Sequence, residues 1–247
     1  MEKVAVVTGA GSGIGSAITK KLIGDGYVVL GIDRDAKNLH MIQEELNSPK
    51  LHTEVCDVTN KKDVQAVISS YGEKMQHIDV LFNGVGQMKL GAFSDLKEED
   101  WDISYKSNIK TVLYCIKSSL RYLKKSNNPN IINLSSILSE TYEHNAIAYT
   151  VTKAMLIPFT KALAKDLSKD GIRVNCILPG PIQTQLMNNL VREAKQKQGG
   201  KELLMRLSNT PMNRMGKKEE VADTVSFIVS TQFITGSLLS LDGGWSL

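Results

Sequence analysis

Seven short apolar runs recur along the chain: VAVVTG (4–9), YVVLGID (27–33), LHTEVCDV (51–58), DVLFNGV (79–85), NIINLSS (130–136), IRVNCIL (172–178) and SLLSLDG (237–243). Val and Ile dominate them, and polarity does not alternate within them. A strand with one wet face alternates, whereas a strand buried on both faces reads as a continuous apolar run. Such runs demand cover on both sides of a sheet, and the stretches between them supply it. IGSAITKKLIGDG and KKEEVADTVSFIVS are helical patterns, and Gly26 and Gly171 stand where helices are expected to end. Alternation of β and α segments predicts right-handed βαβ units. The expected fold is α/β, a doubly wound, mostly parallel seven-stranded sheet with helices on both faces.

The chain of 247 residues is read as one domain, 1–247, because no Pro-, Gly- or Ser-rich linker divides it. One stretch breaks the rhythm. Residues 183–216 are polar and basic, contain Gly199 and Gly200, and follow the carboxyl end of a strand. An insertion there is expected to be a lid over the substrate, the alternative being a solvated helical hairpin. A net charge of +4, from 30 basic and 26 acidic residues, is too weak and dispersed to argue for nucleic acid. No apolar run is long enough to span a membrane. The start has no secretory h-region. Cys56, Cys115 and Cys176 are sparse and lie in apolar segments, which argues against disulfides and zinc. A reducing cytoplasm fits best.

Between the first strand and the first helix, VVTGAGSGIGSA places Gly9, Gly11, Gly13 and Gly15, with Ser12 and Ile14 among them. Glycines permit a tight turn and close backbone approach, and a helix N-terminus presents free N–H groups to a pyrophosphate. A flexible loop would also be rich in glycine, but the strand before and the helix after supply the context a dinucleotide needs. Asp33 ends the second strand, at about the offset where a carboxylate holds the adenosine ribose. It would accept hydrogen bonds from the ribose hydroxyls and repel a 2′-phosphate, so NAD is expected ahead of NADP. Arg34 beside it is the residue that could receive a phosphate instead; Ser12 is not basic. Asp57, with the Val58 backbone next to it, would accept from the adenine amino group, or belong to a helix entry capped by Thr59 or Asn60.

Tyr149 and Lys153 lie four residues apart, on one face of a helix. With these residues in view, the chain resembles the short-chain dehydrogenase/reductase family along essentially its whole length. TGAGSGIG is similar to the family's TGxxxGxG, FNGVG (82–86) to its NNAG and YTVTK to its YxxxK. LPGPIQT is similar to PGxxxT, and IINLSS and GSLLSLDGGW to the family's serine-bearing and closing strands.

The resemblance implies a Rossmann-like fold and a tetrad of Asn108, Ser136, Tyr149 and Lys153. Ser136, not Ser135, has the family's spacing to the tyrosine. Tyr149 would be the general acid in reduction and the general base in oxidation. Lys153 would bind the nicotinamide ribose, Ser136 would hold the substrate oxygen, and Asn108 would steady a water chain reaching Lys153. A free phenol titrates near pH 10, so the Lys153 ammonium and a positive nicotinamide ring are expected to lower Tyr149. Further cofactor contacts are implied at Asn83 and Gly84, and at Pro179, Gly180, Ile182 and Thr184. Homotetramers or homodimers are implied by the same analogy.

Gly84 and Val85 depart from the family's Asn and Ala, and Pro158 lies within the helix of Tyr149, where a kink is expected one turn beyond Lys153. The turn STQFITG before the closing strand is shorter than the family's. The substrate pocket is expected along 138–145, at Gln87 and Met88, and under the lid. Polar Glu140, His144 and Gln87 suit a sugar or polyol; Arg192, Lys195, Lys197, Lys201 and Arg206 would suit a hydroxy or keto acid. The expected activity is hydride transfer between NAD(H) and a secondary alcohol or ketone. The alternatives are a 3-oxoacyl-thioester reductase using NADPH and a non-catalytic dinucleotide sensor.

Overall fold

The computed structural model describes residues 2–185, 187–188 and 210–247. Along the first strand, β1 (Lys3–Thr8), alternate residues enter two different cores. Val4 and Val6 point to one face with Leu81, Ile131 and Val174. Ala5 and Val7 point to the other with Val80, Phe82, Ile132 and Ile177. Each fully buried Val or Ile contributes about 2 kcal/mol of transfer free energy, so the unalternating runs are what a sheet covered on both faces requires.

The remaining strands are β2 (Tyr27–Asp33), β3 (Leu51–Val55), β4 (Val80–Asn83), β5 (Asn130–Leu134), β6 (Arg173–Pro179), the two-residue β7 (Ile182–Gln183) and β8 (Gly216–Lys217), and β9 (Leu238–Leu241). Seven form one sheet in the order β3-β2-β1-β4-β5-β6-β9, and every pairing is parallel. The helices are α1 (Gly13–Gly24), α2 (Ala36–Leu46), α3 (Lys61–Met75), α4 (Glu98–Tyr105), α5 (Thr111–Leu123), α6 (Ile147–Leu167) and α7 (Lys218–Ser230). Apolar residues of α3, α5 and α6 fill the first core; those of α1, α2 and α7 fill the second.

The chain reverses its winding between β1 and β4, so a crevice opens at the carboxyl ends of these strands, where open α/β sheets bind ligands. The Gly-rich turn, the segment after Asn83, the serines after β5 and Pro179-Gly180 all stand at that edge. The sheet's other flank is fastened by Arg173. Its buried guanidinium donates to the carbonyls of Ile228 (2.9 Å), Val229 (3.1 Å), Thr231 (3.1 Å) and Ile234 (3.1 Å), tying β6 to the C-terminal end of α7.

Residues 189–209, the body of the expected lid with Arg192, Lys195, Lys197, Lys201 and Arg206, lie outside the described residues. Its two roots are described and lie side by side: β7 and β8 pair in parallel, Ile182 with Gly216 and Gln183 with Lys217. Helix α6 spans Pro158 without ending there. The three cysteines are buried and free. Among the described residues, no helix is long and apolar enough to cross a membrane.

Candidate active site

The helix that carries Tyr149 and Lys153 is α6, packed against β6 on the first core face. Lys153 is 3% exposed, and its ammonium donates to the Leu134 carbonyl at 2.7 Å. Burial holds it down at about 8, with the Cys176 thiol pulling weakly the other way. The Lys153 Nζ lies 5.8 Å from the centre of the Tyr149 ring. Burial pushes the Tyr149 phenol above its ordinary 10.0, and a hydrogen bond with the Ser136 side chain pulls it back. The shift thus runs opposite to the expected lowering: in the protein without cofactor, desolvation of the phenolate outweighs the Ser136 bond.

The two serines after β5 separate by role. Ser135 Oγ donates to the Lys153 carbonyl at 2.8 Å and ties the strand end to α6. Ser136 Oγ accepts from Leu138 N at 3.2 Å and reaches Tyr149. Of the two, Ser136 is thus the one whose hydroxyl meets the phenol.

Asn108 sits in a π-helical turn, Lys106–Lys110, between α4 and α5. Such bulges widen a helix by one residue and recur where a side chain must be re-aimed. The fully buried Asn108 amide accepts from Gln87 N (2.8 Å) and donates to Gln87 O (3.1 Å) and to Thr152 Oγ1 (2.9 Å). Helical periodicity alone could not reveal the π turn.

At the opposite side of the crevice, Gly9 and Gly13 have φ of +73° and +53°, and a Cβ on Gly15 would stand 2.0 Å from the Gly9 carbonyl oxygen. Only glycine builds this turn. Ser12 is the N-cap of α1 but makes no side-chain cap bond, so the helix N-terminus faces the crevice uncapped. Asp33 lies against the turn: its Oδ2 accepts from Gly11 N and its Oδ1 from Asp35 N, both at 3.0 Å. A carboxylate offers about four lone-pair sites, so capacity for two ribose hydroxyls remains. Thr184 comes to the same place, its Cγ2 being 3.5 Å from where a Gly13 Cβ would be. It also caps the chain ahead, accepting from Met187 N at 3.2 Å. Gly180 N donates to Leu241 O at 2.9 Å, and a Cβ there would meet Asp242 Cα at 2.7 Å.

The family model described as enoyl-(acyl carrier protein) reductase matches residues 9–246. The 3-oxoacyl-(acyl-carrier-protein) reductase FabG of Thermotoga maritima is 33% identical over 98% of this chain and 97% of its own length. Dehydrogenase/reductase SDR family member 6 of Rattus norvegicus is 34% identical over 99% of this chain and 98% of its own. The chain belongs to the short-chain dehydrogenase/reductase family. Among solved structures, a single-substitution form of an actinorhodin polyketide ketoreductase with NADPH superposes with a TM-score of 0.92 at 27% identity, covering 99% of this chain and 97% of that one. This short-chain dehydrogenase/reductase is an NAD(P)-dependent oxidoreductase of the alcohol and ketone type, and its Gly-rich turn, uncapped helix and Asp33 fit a dinucleotide.

Several residues read as cofactor contacts turn their side chains elsewhere. Asn83 is 3% exposed and donates to Asn133 Oδ1 at 2.9 Å, inside the sheet. Ile182 and Val58 are buried in the two cores and Ile14 packs against one, which leaves only their backbones to the crevice. Asp57 Oδ1 accepts from Thr59 N at 2.9 Å, while Asn60 caps α3. Arg34 is exposed, with Asp57 in its field. Gly84 is required by packing: a Cβ would stand 2.6 Å from both Phe82 Cε1 and the Thr8 carbonyl oxygen. The family's Asn has no room here because Phe82 and β1 occupy its place.

Two residues escaped sequence reasoning. Thr152 bonds Asn108, and Gly86 lies between Asn108 and Lys153. Thr152 was visible only as the residue before the lysine, and nothing in its type announces a partner 44 positions away.

Proposed function

We propose that this protein transfers a hydride between NAD(H) and a small secondary alcohol or ketone carrying further polar groups, such as a sugar, a polyol or a hydroxy acid. The observation that carries the reading is buried Lys153 with its Nζ 5.8 Å from the centre of the Tyr149 ring, and the Ser136 side chain acting on the same phenol. Ser136 and Tyr149 together hold the substrate oxygen, and Tyr149 moves the proton at that oxygen, giving it in reduction and taking it in oxidation. When bound, the cofactor supplies the hydride and, oxidised, a positive ring that favours the phenolate. Lys153 holds the nicotinamide ribose and helps set the charge near Tyr149. Asn108, bonded to Gln87 and Thr152, holds a water that reaches Lys153. Pro179, Gly180 and Thr184 flank the nicotinamide end, and segment 183–216 covers the substrate.

Asp33 supports NAD over NADP, because a fixed carboxylate beside the Gly-rich turn repels a 2′-phosphate. The second reading is an NADPH-dependent 3-oxoacyl-thioester reductase. Exposed Arg34 and the names of the FabG relatives support it. Exposed Ile147, Val151 and Met155 on one face of α6, with Ile103 and Tyr105 on α4, support assembly into homodimers or homotetramers. Three unpaired cysteines suit a reducing cytoplasm.

The test is a panel of sugars, polyols, hydroxy acids and 3-oxoacyl thioesters with each cofactor, read by nicotinamide absorbance. Turnover of a polar alcohol with NAD supports the reading; exclusive turnover of 3-oxoacyl thioesters with NADPH supports the second. Tight NADH binding without turnover on any substrate points to a dinucleotide sensor.

A further inference from the structure

Ser136 opens a short 3-10 turn, Ile137–Ser139, and Glu140 is the residue on which that turn ends. The turn is fixed by its own bonds. Ser139 N and Ser139 Oγ both donate to Ser136 O, at 3.0 and 2.5 Å. The Ile137 carbonyl accepts from Glu140 N (3.0 Å), Thr141 N (2.9 Å) and Thr141 Oγ1 (3.1 Å). Glu140 therefore leaves the turn at a set place, close in sequence to the serine that acts on the Tyr149 phenol.

Glu140 is exposed, and among the described residues its carboxylate makes no hydrogen bond or ion pair. Burial raises the Cys176 thiol to about 11; among the weaker causes, the Lys153 ammonium lowers it and the Glu140 charge raises it. Two opposite charges thus act on one thiol of β6, which puts Glu140 on the same side of the crevice as Lys153. Strands β4 and β5 pair, so the segment after β4 is the neighbouring wall. Gly91 N donates to Asn145 O at 2.8 Å and joins the two loops, 84–96 and 135–146. The first loop adds the exposed, neutral Gln87, with both its backbone groups held by Asn108. In these two loops Lys89 is, His144 apart, the one basic side chain, and Asp100 takes it at 3.0 Å. An anion entering between them meets an unpaired like charge, whereas a hydroxyl finds a free acceptor.

We propose that Glu140 is a specificity-determining residue: its carboxylate accepts a hydrogen bond from a second hydroxyl of the substrate and repels anions, so the substrate is a neutral polyol or sugar and not a hydroxy acid or a phosphate-bearing acyl thioester. The inference rests on the redox reading of the site and narrows it. Glu140 makes and breaks no covalent bond; it acts on the part of the substrate beyond the reacting carbon.

The test uses three alcohols of one skeleton: butan-2-ol, butane-1,3-diol and 3-hydroxybutyrate. They differ only in whether the far end is a methyl, a hydroxyl or a carboxylate. Wild type should favour the diol over 3-hydroxybutyrate by about tenfold or more in kcat/KM. Glu140→Gln keeps the shape and removes the charge. It should lower kcat/KM for the diol about tenfold, chiefly through KM, and leave butan-2-ol within about twofold. Glu140→Lys should put 3-hydroxybutyrate ahead of the diol. A wild type that prefers 3-hydroxybutyrate, or a glutamine variant that treats diol and butan-2-ol alike, overturns the proposal. If wild type turns over none of the three, binding decides: saturation-transfer NMR of sorbitol against gluconate, with NADH present. Sorbitol favoured in wild type and gluconate in Glu140→Lys supports the proposal; the same order in both proteins, or binding of neither, overturns it. If the broader substrate panel also shows no turnover, the redox reading fails by itself, while the binding order still reports on Glu140.

Discussion

Asn108 Nδ2 donates to Thr152 Oγ1 at 2.9 Å, so the π turn between α4 and α5 is fastened to α6 at a point between Tyr149 and Lys153. Thr152 passes the bond on, donating to Ala148 O at 2.8 Å. Thr152→Val keeps the volume and removes both bonds. It should lower kcat about ten- to hundredfold by freeing the Asn108 amide, with cofactor affinity unchanged. Thr152→Ser should restore activity. Steady-state kinetics on the three proteins check this; a fully active valine variant contradicts it.

Lys153 makes the site costly to fold. Its native value of about 8 lies below the ordinary 10.5, so between those values the unfolded chain binds a proton that the native protein does not. Stability from this group therefore rises with pH across that window, by about 3 kcal/mol at most. The buried thiols oppose it. Burial raises Cys56 and Cys176 to about 11, so both withdraw stability as pH climbs. The lysine contribution is thus the difference between wild type and Lys153→Met. Urea melts at several pH values should show the variant more stable near pH 7, with the advantage shrinking toward pH 10. A constant difference contradicts it.

Much of this was legible because the physics is local. Val4 to Val7 read as a strand buried on both faces because every one of them is apolar, and Gly15 read as part of a tight turn because no other residue fits against Gly9. What stayed hidden depends on partners distant in sequence. Asn83 has the right type and place for a cofactor contact, yet Asn133 on the neighbouring strand takes its side chain. The direction of the Tyr149 shift depends on how segments distant in sequence cover the phenol, which no motif records. Pro158 marked an expected kink, and α6 runs through it to Leu167.

Gly84 also tests packing against family pattern. Gly84→Asn restores the family residue but drives a Cβ to 2.6 Å from Phe82 Cε1 and the Thr8 carbonyl oxygen. It should destabilise the protein by about 1–3 kcal/mol, read by urea denaturation. Phe82→Val in the same chain should recover part of the loss by removing the ring. Equal stability of Gly84→Asn and wild type contradicts the packing argument.

Cofactor choice rests on Asp33. Asp33→Ser removes the charge that repels a 2′-phosphate while leaving Arg34 beside it. NADPH affinity should rise about tenfold and NADH affinity fall about tenfold, measured by nicotinamide fluorescence. Tighter NADPH than NADH in wild type would show that Arg34 outweighs the carboxylate.

Everything proposed for this site turns on Tyr149 transferring the proton at the substrate oxygen. Single-turnover hydride transfer in Tyr149→Phe, with cofactor affinity measured on the same protein, tests it most directly. The expected result is an affinity within about twofold of wild type and a transfer rate lower by about a thousandfold. A phenylalanine variant that transfers hydride at the wild-type rate would contradict it.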